Sequence, residues 1–128
     1  MYQVAVRRDF VAQHFLFGGD WGSENKLHSH HYRVEVCIEG RGVDEHGFLL
    51  DITKIDALIN EKVAYLNDKN LNDLPEFAGL NPSMERLANY FCLSIIKIIG
   101  DPAISKVMVK IWEDENVWAS YQQDISCI

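Results

Sequence analysis

Residues 2 to 14 and 28 to 39 alternate apolar and polar side chains, and each stretch carries histidine at the end nearer the other. In the first, Tyr2, Val4, Val6 and Phe10 share a parity that also contains His14. In the second, Tyr32, Val34, Val36 and Ile38 face one way, with Arg33, Glu35 and Glu39 facing the other. Period-two patterning of this kind marks half-buried strands. Residues 15–27, "FLFGGDWGSENKL", hold three glycines and read as the loop between them.

The rest of the chain switches to helical periods and back. "GRGVDEHG" is turn material, and Phe48 to Leu50 are expected to make a short return strand. Asp51 or Thr53 then caps a helix whose apolar face is Ile52, Ile55, Ile59, Val63 and Leu66. After an Asn- and Asp-rich connection, Asn81 is the expected N-cap of a second helix, with Pro82 at its first position and Gly100 as its stop. Its face is Met84, Leu87, Ala88, Phe91, Ile95 and Ile98. Strands Ser105–Glu113 and Val117–Tyr121 close the chain as a hairpin around "DEN". Two helices set between antiparallel hairpins make an α+β domain rather than a βαβ fold.

Composition narrows the class. A chain of 128 residues, 48% hydrophobic, is one domain spanning 1–128 and is large enough for a core. A net charge of −7 leaves no basic footprint for nucleic acid or for an anionic membrane. The N-terminus does not read as a signal peptide, and the apolar region Ile95–Ile99 is interrupted by Lys97 and too short to span a bilayer. Cys37, Cys92 and Cys127 are scattered, without a C-x-x-C, which points to free thiols in a reducing cytoplasm.

"KLHSHHYRVEV" raises the chemical question. His28 and His30 stand at i and i+2, so they share a strand face, and His31 points away. His14 ends the first strand on its apolar parity, and hairpin pairing would bring it opposite His28 and His30. Three neutral imidazoles with a fourth position left open is the catalytic zinc pattern. A polar turn beside one ordinary strand histidine fits the same residues, and the spacing alone leaves both readings open.

Six ordered segments carry a resemblance. "FVAQH", "ENKLHSHHYRVEVCIEG", "GFLLDITKI", "LNDKNLNDL", "NPSMERLA" and "VMVKIWED" are similar to the successive landmarks of the 6-pyruvoyl-tetrahydropterin synthase / 6-carboxy-tetrahydropterin synthase family. The resemblance implies the tunnelling fold: a four-stranded antiparallel sheet with two helices on one face, the sheets joining into a barrel in a homohexamer of two stacked trimers. It implies Zn2+ held by His14, His28 and His30, and active sites between subunits. Glu113 matches the carboxylate that anchors the pterin, a task suited to a group accepting two parallel hydrogen bonds.

Two positions depart from the family pattern. Glu24 stands where the family has its catalytic cysteine, and Asn67 and Asp68 stand where it has an Asp-His pair. A carboxylate ordinarily titrates near ~4.3, and burial raises it toward the range of a useful base. The resemblance thus implies a cytoplasmic zinc-dependent lyase with Glu24 and Asp68 as its proton-transfer groups. Its substrate would be 7,8-dihydroneopterin triphosphate, cut at the C6 side chain on a queuosine, biopterin or folate precursor route. The competing expectation is a homologue that binds pterin without turning it over. Trp112, Trp118 and Tyr32 read as packing residues, Lys26, Arg33 and Lys110 as solvated charges that also suit a triphosphate, and His31 and His46 have no assigned role.

Overall fold

A computed structural model describes residues 1–125. Strands β1 (Tyr2–His14) and β2 (His28–Gly40) pair as the expected hairpin, and β3 (Ile104–Trp112) and β4 (Trp118–Asp124) as the second. They form one antiparallel sheet in the order β1-β2-β3-β4. Helices α1 (Ile52–Leu66) and α2 (Met84–Ile96) pack on one face, α1 over β1 and α2 over β3 and β4. The tunnelling-fold subunit expected from the sequence is therefore present. No helix of the described residues is long and apolar enough to cross a membrane.

The core lies between that sheet face and the helices. Val34, Val36, Val107, Val109 and Ile111 alternate inward from the two central strands to meet Ile59, Leu87, Phe91 and Ile95. Phe10 stacks on Tyr32 at 5.1 Å between centroids and meets Phe91 at 6.1 Å. This aromatic layer is the inward pair next to His30 and two inward pairs from His14 and His28, since Phe10 opposes Tyr32, Ala12 opposes His30 and His14 opposes His28 in the ladder. Cys37 and Cys92 are buried free thiols, and Cys127 lies outside the described residues.

Several boundaries differ from the sequence expectation, each for a local reason. Phe48–Leu50 form no strand. The Asp44 carboxylate accepts hydrogen bonds from the His46 and Phe48 backbone N–H groups and folds the segment into a turn. Asp51 caps α1 as expected, accepting from the Thr53 N–H, but the first turn is in solvent, so Ile52 is exposed and Leu58 takes its place in the core. Ser83, not Asn81, caps α2 by accepting from the Arg86 N–H. The last turn of α2 then tightens onto Leu93 and Ile95 carbonyls, ending the helix at Ile96, short of Gly100, and leaving Ile98 exposed. The closing strands are shifted to Ile104–Trp112 and Trp118–Asp124, with the Asp114 carboxylate accepting from the Asn116 and Val117 N–H groups in the turn.

Replacing Ser83 by alanine removes that cap and should lower the unfolding free energy by about 1 kcal/mol. Urea denaturation reads it, and an unchanged midpoint would contradict the assignment.

Candidate metal centre

The β1–β2 register places His14 opposite His28 and Ala12 opposite His30, so all three imidazoles face the helix side of the sheet. Their ring centroids lie 4.6, 4.7 and 5.0 Å apart. Two backbone carbonyls settle the tautomers. His14 Nδ1 lies 2.9 Å from the Pro82 oxygen, and His28 Nδ1 lies 2.7 Å from the Lys26 oxygen. A carbonyl only accepts, so each Nδ1 carries the proton and each Nε2 keeps its lone pair. His14 Nε2 is buried without any hydrogen-bond partner. His28 Nε2 meets His30 Nε2 at 3.0 Å. An orphaned buried acceptor and imidazole nitrogens turned toward one another fit a divalent cation, and carbonyl-oriented histidines are the usual outer support of such a site.

Burial sets the protonation. It pushes His14 and His30 below the ordinary histidine range, with the neighbouring imidazoles adding to the effect, and so favours the neutral, ligating form. Burial also raises the Glu113 carboxyl above its usual value. Glu113 follows the end of β3, and its Oε1 lies 3.8 Å from His30 Nε2. Tyr32 is fully buried, with its hydroxyl 3.4 Å from His14 Nδ1.

Glu24 is brought to the same point by the loop. It sits in a one-turn 3-10 helix, Gly22–Asn25, entered through Gly22 at φ +63°. Its Oε2 lies 2.7 Å from His28 Nε2 and 4.0 Å from His30 Nε2. The ligand atoms of His14, Glu24, His28 and His30 all lie within 4.8 Å of one another.

Asp68 is not in this group. It is exposed at φ +62°, and its N–H donates to the Val11 carbonyl along the outer side of β1.

Of the basic candidates, Arg33 is held by Asp9 at 3.0 Å. Lys110 lies over the Trp118 ring, with its ammonium 4.5 Å from the ring centroid. His31 also turns to Asp9, at 3.1 Å. Asp9, His31 and Arg33 border a cavity of about 550 Å³ on the helix-free side of the sheet, which Glu113 also lines, whereas Lys110 does not reach it.

Residue chemistry alone did not single out the supports. Asn72 and Asn81 each accept from one backbone N–H and donate to the carbonyl of the same residue, Asn72 at Phe15 and Asn81 at Phe17. Asn25 ties the loop to itself, donating to the Leu16 and Gly19 carbonyls and accepting from the Trp21 N–H. The only signal was an asparagine-rich connection, which reads equally well as ordinary turn chemistry.

Residues 3–124 match the family described as 6-pyruvoyl tetrahydropterin synthase. A 6-pyruvoyl tetrahydrobiopterin synthase of Dictyostelium discoideum is 33% identical, across 93% of this chain and 95% of that protein. A dihydroneopterin monophosphate aldolase of Pyrococcus furiosus is 27% identical, across 87% and 89%. Among solved structures, a Plasmodium vivax 6-pyruvoyltetrahydropterin synthase superimposes with a TM-score of 0.78 at 16% identity, covering 97% of this chain and 98% of that one. That structure is of a catalytic-residue mutant, with glutamate replaced by cysteine.

The pKa directions give a stability test on the metal-free protein. His14 and His30 are lowered on folding, so their contribution is present above the ordinary value of ~6.5 and is lost as pH falls from there toward the folded values. Glu113 is raised, so its contribution is present at low pH and is lost as pH rises through its folded value. Two histidines oppose one carboxyl. Thermal unfolding of metal-free protein should therefore occur at lower temperature at about pH 5.5 than at about pH 7.5, and the reverse order would contradict the assignment.

Proposed function

Because the chain belongs to the 6-pyruvoyl tetrahydropterin synthase family, we propose that it is a zinc-dependent lyase acting on the C6 side chain of 7,8-dihydroneopterin triphosphate or a close relative. The observation that carries this reading is the convergence of three histidine Nε2 atoms, one of them buried and unpartnered, on a point that Glu24 also reaches. His14, His28 and His30 would hold the metal, which when bound supplies Lewis-acid polarisation of a substrate oxygen.

The protein's own residues do the rest. Glu113 accepts paired hydrogen bonds from the amino and N–H groups of the pterin ring, and those donors favour its ionised form against the effect of burial. Glu24 takes the proton of a side-chain hydroxyl. The resulting alkoxide becomes a carbonyl as the adjacent carbon–carbon bond breaks, the electron pair of that bond passing into the C6–N5 imine; the aldehyde fragment leaves, and a proton returns to the carbon left on the ring. The buried Tyr32 and His14 give this end of the sheet a dry, rigid floor. An aldolase among the relatives supports cleavage of the side chain, and a Plasmodium vivax protein of the same fold, whose catalytic residue is a glutamate, supports a carboxylate in this role.

We further propose the homohexamer of the tunnelling fold. β1 and β4 are the two edges of the sheet, and joining edges between copies covers them. A neighbouring copy is also the route by which Asp68, remote from the histidines of its own chain, would serve a site. Sedimentation should give about six times the 14.7 kDa chain mass, and a monomer would refute the assembly.

The activity is tested by incubating zinc-loaded protein with dihydroneopterin triphosphate and identifying products by mass. Zinc-dependent cleavage is expected, and the product mass distinguishes 6-hydroxymethyl, 6-pyruvoyl and 6-carboxy outcomes. At saturating zinc, Glu24→Gln should lower turnover by about two to four orders of magnitude while retaining pterin binding. Tight pterin binding without turnover in the wild type would instead establish a binding homologue.

A further inference from the structure

A general base and a metal ligand stand at different distances from the ligand nitrogens, and the contacts of Glu24 discriminate between them. Ligands on tetrahedral zinc with bonds of ~2.0–2.1 Å are about 3.3 Å from one another. A base that reaches a substrate oxygen across a hydrogen bond of ~2.6–3.2 Å stands one atom further out. Glu24 Oε2 lies 2.7 Å from His28 Nε2 and 4.0 Å from His30 Nε2, values that bracket the ligand spacing and leave no room for an interposed oxygen. With Nδ1 of His28 donating to Lys26, one proton on its Nε2 would satisfy the contact with Glu24 Oε2 but leaves two features that a shared cation also meets: His30 Nε2 at 3.0 Å from the same nitrogen, and a buried His14 Nε2 with no partner at all.

We propose that Glu24 is itself the fourth ligand in the substrate-free protein, closing the coordination position that the three histidines leave open, and that substrate displaces it. The inference rests on the zinc reading of the preceding section and adds a switch to it. One carboxylate holds the resting site closed, as in structural zinc centres, and becomes the base only once substrate has taken its place. The local structure suits such an exchange. The backbone around Glu24 is pinned, with its carbonyl accepting from the Leu16 N–H at 2.9 Å and Asn25 tying the turn to Leu16 and Gly19. Its side chain is 43% exposed, against 19–23% for His28 and His30, so rotation of the side chain alone moves the carboxylate off the centre.

The test uses metal readouts rather than activity. Metal-free protein is loaded with cobalt(II), whose visible bands report ligand identity and number, and zinc affinity is measured by competition with a chromophoric chelator. Glu24→Gln and Glu24→Ala should both move the cobalt bands of the substrate-free protein and weaken zinc binding by at least about tenfold. Adding 7,8-dihydroneopterin triphosphate to the wild-type cobalt protein should move the bands as well. Circular dichroism of the metal-free variants confirms that they are folded. If His28→Ala and His30→Ala abolish zinc binding while both Glu24 variants keep wild-type bands and affinity, Glu24 is not a ligand and this inference fails alone. If the histidine variants bind zinc as tightly as wild type, the zinc reading fails and takes the inference with it.

Discussion

The register of the β1–β2 hairpin is the constraint on which the site depends. Side chains alternate faces along a strand, so a slip of one residue would turn His28 and His30 to the opposite face from His14. The register is held at the inward pair next to His30, where Phe10 and Tyr32 stack in the core beneath α2. Burying that aromatic layer and aligning the imidazoles are therefore one event. The buried hydrophobic interior does not merely support the candidate metal centre; it sets which residues can form it.

The second requirement is a loop that returns to the hairpin end in one conformation. A glycine-bearing loop has many conformations available, and ordering it costs entropy. Asn72 and Asn81 offset that cost by clamping the backbone of Phe15 and Phe17, each making a bond in both directions. The segments that carry the clamps also contribute elsewhere: Pro82, next to Asn81, offers the carbonyl that orients His14. The connection before α2 is in this sense part of the site, although among the described residues it bonds to the histidines only through backbone.

Much of this was legible from residue pattern. Parity alone places His14, His28 and His30 on one face of the hairpin, because period-two alternation is a direct consequence of strand geometry. Glu24 and Glu113 needed the family resemblance, since an isolated glutamate in a loop or beside a turn has no pattern of its own. The carbonyls of Pro82 and Lys26 were not legible, because a backbone acceptor carries no residue signature. Asn81 was misread as a helix cap for a related reason. Its amide makes the same kind of backbone hydrogen bond in a cap or in a clamp, and only the path of residues 15–17 decides between them. Phe48–Leu50 failed as a strand because one carboxylate, Asp44, competed successfully for the backbone donors.

At the end of the hairpin, the three Nε2 atoms are proposed to share one divalent cation. The direct measurement is an anomalous difference map, collected at the zinc absorption edge, from crystals of the zinc-loaded protein. A single peak per chain at ~2.0–2.1 Å from Nε2 of His14, His28 and His30 is the predicted result. A peak elsewhere, or none at the end of the hairpin, would contradict it.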